Sequence, residues 1–217
     1  DIGLKCYEST KRTEQTNKAK AQGNRMKAIK VVQPPVGTLE WVFISGEGRN
    51  QAEPGKPEKF QKTATLILKE GSKEAEGLIS QIKAAWEVYK AETPAIKSAT
   101  EPKTLGYKHV KDSETGADTD MLAFQFKTNS FFPDGKMNNV KTFNAKGQEV
   151  DMGDTIIGNG SLGVIHGSMG GYTYLGAYGI SLYLTAVQIA KLVEGAGAEV
   201  ETTDISAVGD FEATGDG

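Results

Sequence analysis

Residues 158–163 read "GNGSLG", which has the Gly-x-Gly-x-x-Gly spacing of dinucleotide-binding folds. That spacing signifies a nucleotide only between a strand and a helix, with an acidic residue about 20 positions on for the ribose. The preceding "DTIIGNG" suits a strand, through Ile156 and Ile157. The residues after it, "VIHGSMGGYTYLGAYGISLYL", have glycines at 167, 170, 171, 176 and 179 and no helical character. No Asp or Glu stands where the ribose partner should be. The stretch therefore reads as a turn leading into a strand at the corner of a tightly coiled sheet, where glycine relieves crowding.

Working outward, "GISLYLTAVQIAKLV" (179–193) alternates at Ile180, Leu182 and Leu184 and carries Thr and Val, which predicts a strand rather than a helix. "KAIKVVQPPVGTLEWVFIS" is extended, interrupted by Pro34 and Pro35, with Trp41 and Phe43 in a strand. In "FQKTATLIL", Phe60, Lys62, Ala64, Leu66 and Leu68 fall on one face. "DMLAFQFKT" alternates with Leu122, Phe124 and Phe126 inward and Gln125 and Lys127 outward. Residues 72–92 form the one clear helix, with Ala75, Leu78, Ile79, Ile82, Trp86 and Tyr89 on a stripe, Ser72 as N-cap and Pro94 as stop. Trp86 and Tyr89 continue that stripe and are expected in the core. Short strands, one or two helices and abundant glycine predict a mainly β fold, a small barrel or sandwich.

Composition narrows the chemistry. The chain has 217 residues, enough for one core without staples, and a single cysteine, Cys6, so it forms no internal disulfide. No run of about 18 apolar residues indicates a membrane span. Residues 1–26 read as a polar, flexible leader. From Glu194 to Gly217 there are seven acids and no Lys or Arg, an acidic tail, whereas residues 26–193 hold 19 bases against 18 acids. Basicity in the folded part must therefore be local. It is mostly lysine, which binds phosphate as a point charge and does not read base edges bidentately.

No catalytic or metal-binding constellation emerges. His109 and His166 lie far apart, the acids of "DSETGADTD" miss calcium-loop spacing, and no Walker lysine or Gly-x-Ser-x-Gly occurs. The expectation is a protein without enzymatic activity, cofactor or metal. A glycine-rich barrel that interleaves lysine with aromatics suits single-stranded nucleic acid, with bases stacked on rings and phosphates tracked by lysines. The candidate contacts are Phe60, Lys62, Tyr107, Lys108, Lys111, Lys127, Phe131, Lys136, Lys141, Tyr172 and Tyr174, with Phe132 beside Phe131.

"KFQKTATLIL" before a helix, "FNAKGQEVDMGDTIIGNGSLGVI", and "GAYGISLYLTAVQIAKLV" running into the acidic tail together resemble the single-stranded DNA-binding proteins of tailed bacteriophages. The resemblance spans about residues 27–193. It implies an OB-fold-like small β-barrel with flexible termini, sequence-independent binding of single-stranded DNA in phage replication and recombination, and a bacterial cytoplasmic setting. It further implies an acidic tail (Asp204, Asp210, Phe211, Glu212) that recruits phage replication proteins or competes with DNA. Phe211 lies inside "GDFEATGDG", whereas tails of that family commonly finish with an aromatic among acids, and the leader has no counterpart. The competing reading is a structural or adaptor β-barrel whose acidic tail binds a protein partner.

Overall fold

The structure is a computed structural model that describes residues 28–52, 58–93, 96, 101–153, 155–174 and 176–195. The expected leader, and the tail from residue 196 on with Asp204, Asp210, Phe211 and Glu212, lie outside the described residues, as do Cys6 and Pro94. Among the described residues, nine strands and one long helix follow in chain order: β1 (Ile29–Lys30), β2 (Val36–Phe43), β3 (Arg49–Asn50), β4 (Phe60–Lys69), α1 (Lys73–Glu92), β5 (Tyr107–Lys111), β6 (Asp118–Asn129), β7 (Lys141–Phe143), β8 (Ser161–Tyr174) and β9 (Ala177–Lys191).

Five of these strands close a barrel. The order β8-β2-β4-β6-β9 returns on itself because β9 also pairs with β8, and every junction is antiparallel except β6–β9. This is the mainly β, OB-like barrel that the sequence predicts. The alternating residues of 179–193 lie in β9, and "GNGSLG" is a turn at Asn159–Gly160 delivering the chain into β8 at Ser161. Buried Ser161 ties the mouth of the β8–β9 hairpin. Its hydroxyl donates to the Gly158 carbonyl (2.8 Å) and accepts from the Val193 amide (3.0 Å).

The inward face of β8 alternates small and large: Ser161, Gly163, Ile165, Gly167, Met169, Gly171, all buried. A side chain at Gly167 would meet the Phe126 ring, and one at Gly171 would occupy the space of the Tyr89 ring. Small barrels use such alternation to fit their taper. Tyr89 is 1% exposed and its hydroxyl lies 2.8 Å from that of Thr173, so α1 seats on β8 through a ring that fills the gap at Gly171. The helix begins as expected at Ser72, whose hydroxyl accepts from the Ala75 amide (3.1 Å), and it buries the predicted stripe with Trp86 and Tyr89 in the core. Gln81 reaches from α1 to clamp the Val32 amide and carbonyl at 2.8 and 2.9 Å, fixing the link between β1 and β2.

Gly171→Ala should destabilise the protein by about 1–3 kcal/mol through overpacking. Gly77→Ala, at an open site inside α1, should stabilise it by about 0.5–1 kcal/mol. Urea unfolding midpoints of the two variants test this. A neutral Gly171→Ala would mean that Tyr89 is not seated against β8.

Candidate nucleic-acid interface

Barrel geometry sorts the predicted contact residues by face. In β4, residues 62, 64, 66 and 68 point inward with 1, 0, 1 and 5% exposure. The opposite face of the sheet carries Thr63, Thr65 and Ile67 of β4 and their register partners Lys127, Gln125 and Ala123 of β6; Gln125 and Lys127 are exposed, and the other four lie buried beneath their neighbours. Lys108 of β5 pairs with Ala123, and Tyr183 of β9 with Lys127, both extending the same surface beyond the edge of β6 that faces away from β4.

Two depressions indent this surface. One, of about 590 Å³, is lined among others by Lys59, Lys108, Lys127, Gln125, Ser181 and Tyr172. The other, of about 560 Å³, is lined among others by Trp41, Thr65, Lys108, His109, Lys111 and Gln125. They share Lys108, Ala123 and Gln125, so they form one trough running from β2 across β4, β6 and β5 to β8 and β9. Segments far apart in sequence thus bring Tyr107, Lys108, Lys127 and Tyr172 to one site, and the structure adds Lys59, with Tyr183 beside it as the register partner of Lys127. The Tyr183 ring lies across Gly170, where a Cβ would come within 2.8 Å of it. Tyr172 packs in the same way over Gly179, and partial burial raises its phenol above the ordinary value. None of Lys59, Lys108 and Lys127 reaches a carboxylate among the described residues, so their charges face the trough unneutralised.

The remaining predicted residues are placed differently. Lys62 is not a surface lysine. It is 1% exposed, because it shares the inward face with Ala64 and Leu66, and burial holds its ammonium below the ordinary lysine value. It lines a separate cleft of about 660 Å³ with Phe43, Lys141, Thr142 and Met152. Phe60 and Phe131 pack edge to face on one another, centroids 6.4 Å apart, and the exposed ring of that loop is Phe132. Tyr107 lines the first depression beside Lys108, but its half-buried ring packs against the core, 5.2 Å from Phe124. Burial and then the charge of Glu76 raise its phenol.

Three lysines are paired: Lys111 with Asp118 (2.9 Å), Lys136 with Asp134 (3.4 Å) and Lys141 with Glu149 (2.7 Å). The hydrogen bond from Lys111, then its charge, holds the Asp118 carboxyl below its ordinary range. Exposed pairs of this kind contribute little to stability, but each must open before its lysine can meet a phosphate. The backbone of Tyr174 ends β8, and its side chain lies outside the described residues.

Sequence reasoning missed Trp41 as a surface group. It is 56% exposed at φ +52°, in a bulge where Glu40 and Phe43 oppose Thr65 and Thr63. A positive φ is unusual for so bulky a residue, and bulges re-aim side chains.

No family model matches the chain, and no curated protein matches it. Solved structures do. The chain has the fold of phage single-stranded DNA-binding proteins. It superposes on gp2.5, a single-stranded DNA-binding protein encoded by bacteriophage T7, with a TM-score of 0.56 and 20% identity, covering 87% of this chain and 97% of that one. The single-stranded DNA-binding protein of bacteriophage Enc34, in complex with single-stranded DNA, gives 0.51 and 13% over 80% of this chain and 88% of that one. A C-terminal truncation of the Enc34 protein gives 0.51 and 12% over 79% and 97%.

The lowered pKa of Lys62 has a defined sign. The folded chain binds that proton less well than the unfolded chain, so this group makes stability rise with pH from its lowered folded value up to the ordinary 10.5. Lys62→Met should be at least as stable as the parent at pH 7 and should lose that alkaline rise. Urea midpoints between pH 7 and 10 read both effects, and a lower midpoint for Lys62→Met at pH 7 would contradict the assignment.

Proposed function

We propose that this protein binds single-stranded DNA without sequence preference along the outer trough and has no enzymatic activity. One observation carries the reading. The trough gathers lysines that have no carboxylate partner among the described residues (Lys59, Lys108, Lys127) beside Tyr107 and Tyr172, on a barrel shared with proteins that bind such strands. Lysines that track phosphates and rings that stack on bases are the two elements of sequence-tolerant strand binding. Ring faces accept any base, and lysine lacks the planar fork that reads guanine. Lys111, paired with Asp118 at the edge of the trough, is a reserve cation that exchanges its carboxylate for a phosphate.

The role that fits such binding is protection of exposed strands during phage DNA replication and recombination in the cytoplasm of a bacterial host. The acidic segment 194–217, with Asp204, Asp210, Phe211 and Glu212, would recruit replication proteins or compete with DNA for the lysines.

Fluorescence anisotropy of a labelled poly-thymidine strand, titrated with the full chain over a range of salt, tests the reading. Binding should weaken with salt at a log–log slope of about −0.7 per phosphate contacted. Lys108→Ala and Lys127→Ala should each reduce the steepness by about 0.7. Tyr172→Ala should weaken binding by about 1–3 kcal/mol while leaving the slope unchanged. Absence of strand binding, or binding insensitive to salt, would refute the proposal and favour an adaptor barrel whose acidic segment binds a protein.

A further inference from the structure

We propose that Trp41 is a pre-set stacking platform for one base at the β2 end of the trough, and that Asn159 is the positioning residue that holds it there. The inference rests on the strand-binding reading above and adds to it a contact residue and its support.

The bulge is built, not merely tolerated. Between Glu40 and Phe43, β2 spends one residue more than β4 does between Thr65 and Thr63, and the extra residue breaks the alternation that would otherwise direct Trp41. Its backbone sits at φ +52°, a conformation that a bulky side chain keeps only when its surroundings impose it. The surroundings do so from two sides. The Trp41 amide donates to Oδ1 of Asn159 at 2.8 Å, and the Trp41 carbonyl accepts from the Thr63 hydroxyl at 3.5 Å. Asn159 is itself fixed on β2, because the next amide, that of Gly160, donates to the Leu39 carbonyl at 3.1 Å. The glycine-rich turn with the spacing of a nucleotide fingerprint thus serves a different purpose: it pins a strained backbone.

The result is a large aromatic held out of the core. Trp41 is 56% exposed, whereas the only other tryptophan, Trp86, is 5% exposed in the packed helix. A lone exposed apolar side chain needs no explanation. Here exposure coincides with backbone strain, a dedicated hydrogen bond from a distant turn, and a place on the wall of the depression that shares Lys108 and Gln125 with the lysine–tyrosine site. Lys108 and Lys111 on the far wall would take the flanking phosphates of a nucleotide stacked on the indole. A ligand without a flat apolar face would leave this arrangement unused.

The test uses the full chain labelled with 5-fluorotryptophan, which gives two fluorine resonances, that of Trp41 identified by its loss in Trp41→Phe. Titration with a poly-thymidine strand should shift the Trp41 resonance in step with binding followed by anisotropy, with the Trp86 resonance fixed as a control. Trp41→Ala should weaken binding about ten-fold or more with an unchanged salt slope, and Trp41→Phe should retain part of the affinity. Asn159→Ala should move the Trp41 resonance in the absence of DNA and weaken binding several-fold, with its unchanged Trp86 resonance and its own thermal midpoint showing that the barrel is intact.

Strand binding with the Trp41 resonance unmoved, or Trp41→Ala at parent affinity, overturns this inference and leaves the strand-binding reading standing. A concentration-dependent shift without DNA also overturns it, by assigning the indole to contact between copies. No strand binding by the parent chain overturns both.

Discussion

The backbone of β8 has to pass close to three neighbours at once: β9 and β2 on either side, and a helix over its end. That is possible only because its inward face alternates glycine with a single large side chain. Gly163, Gly167 and Gly171 leave room for the Gln188 backbone, the Phe126 ring and the Tyr89 ring respectively, while Ile165 and Met169 fill the remaining space. With a Cβ at those positions, β8 would stand off from β9 and the ring of five strands would open. The parallel β6–β9 junction, short at Phe126–Leu182 and Lys127–Tyr183, holds only because the long β8–β9 hairpin brings β9 into place.

A barrel this tight has a filled interior, so any ligand must bind outside it. The outer face across β4 and β6 has a nearly buried floor of Thr63, Thr65, Ile67 and Ala123 with Gln125 exposed among them, and the long groups stand at its margins. Lys108 and Lys127, Tyr107 and Tyr172, and Trp41 at the bulge rise around that floor. With nearly balanced charge over residues 26–193, attraction for an anion is local: of the lysines around the trough, Lys111 is paired with Asp118, whereas Lys59, Lys108 and Lys127 have no carboxylate partner among the described residues.

The architecture was legible in the sequence because alternation and helical periodicity are local signals. Phe124 and Phe126 inward, Lys127 outward, and Trp86 and Tyr89 in the core are all set by spacing along one element. The site was legible only in part, because facing and pairing are set between elements. Lys62 could have been recognised as buried, since the same alternation that groups it with Ala64, Leu66 and Leu68 turns it inward. Phe60 and Phe131 could not, because their mutual contact depends on a turn that folds one onto the other. Trp41 was hidden for a sharper reason. A bulge is a mismatch in count between β2 and β4, and a single strand contains no trace of it. Even the support, Asn159, looks in the sequence like part of a nucleotide motif.

The proposed binding mode seats the strand in the outer trough and not in the cleft around Lys62. Amide chemical-shift mapping of the full ¹⁵N-labelled chain with a poly-thymidine oligonucleotide tests this most directly. The largest shifts are expected at Trp41, Lys108, Gln125, Lys127, Ser181 and Tyr183, with Val42, Thr142 and Met152 little changed. Shifts concentrated instead on Val42–Ser45, Asn139–Thr142 and Met152 would place the strand in the Lys62 cleft and contradict that mode.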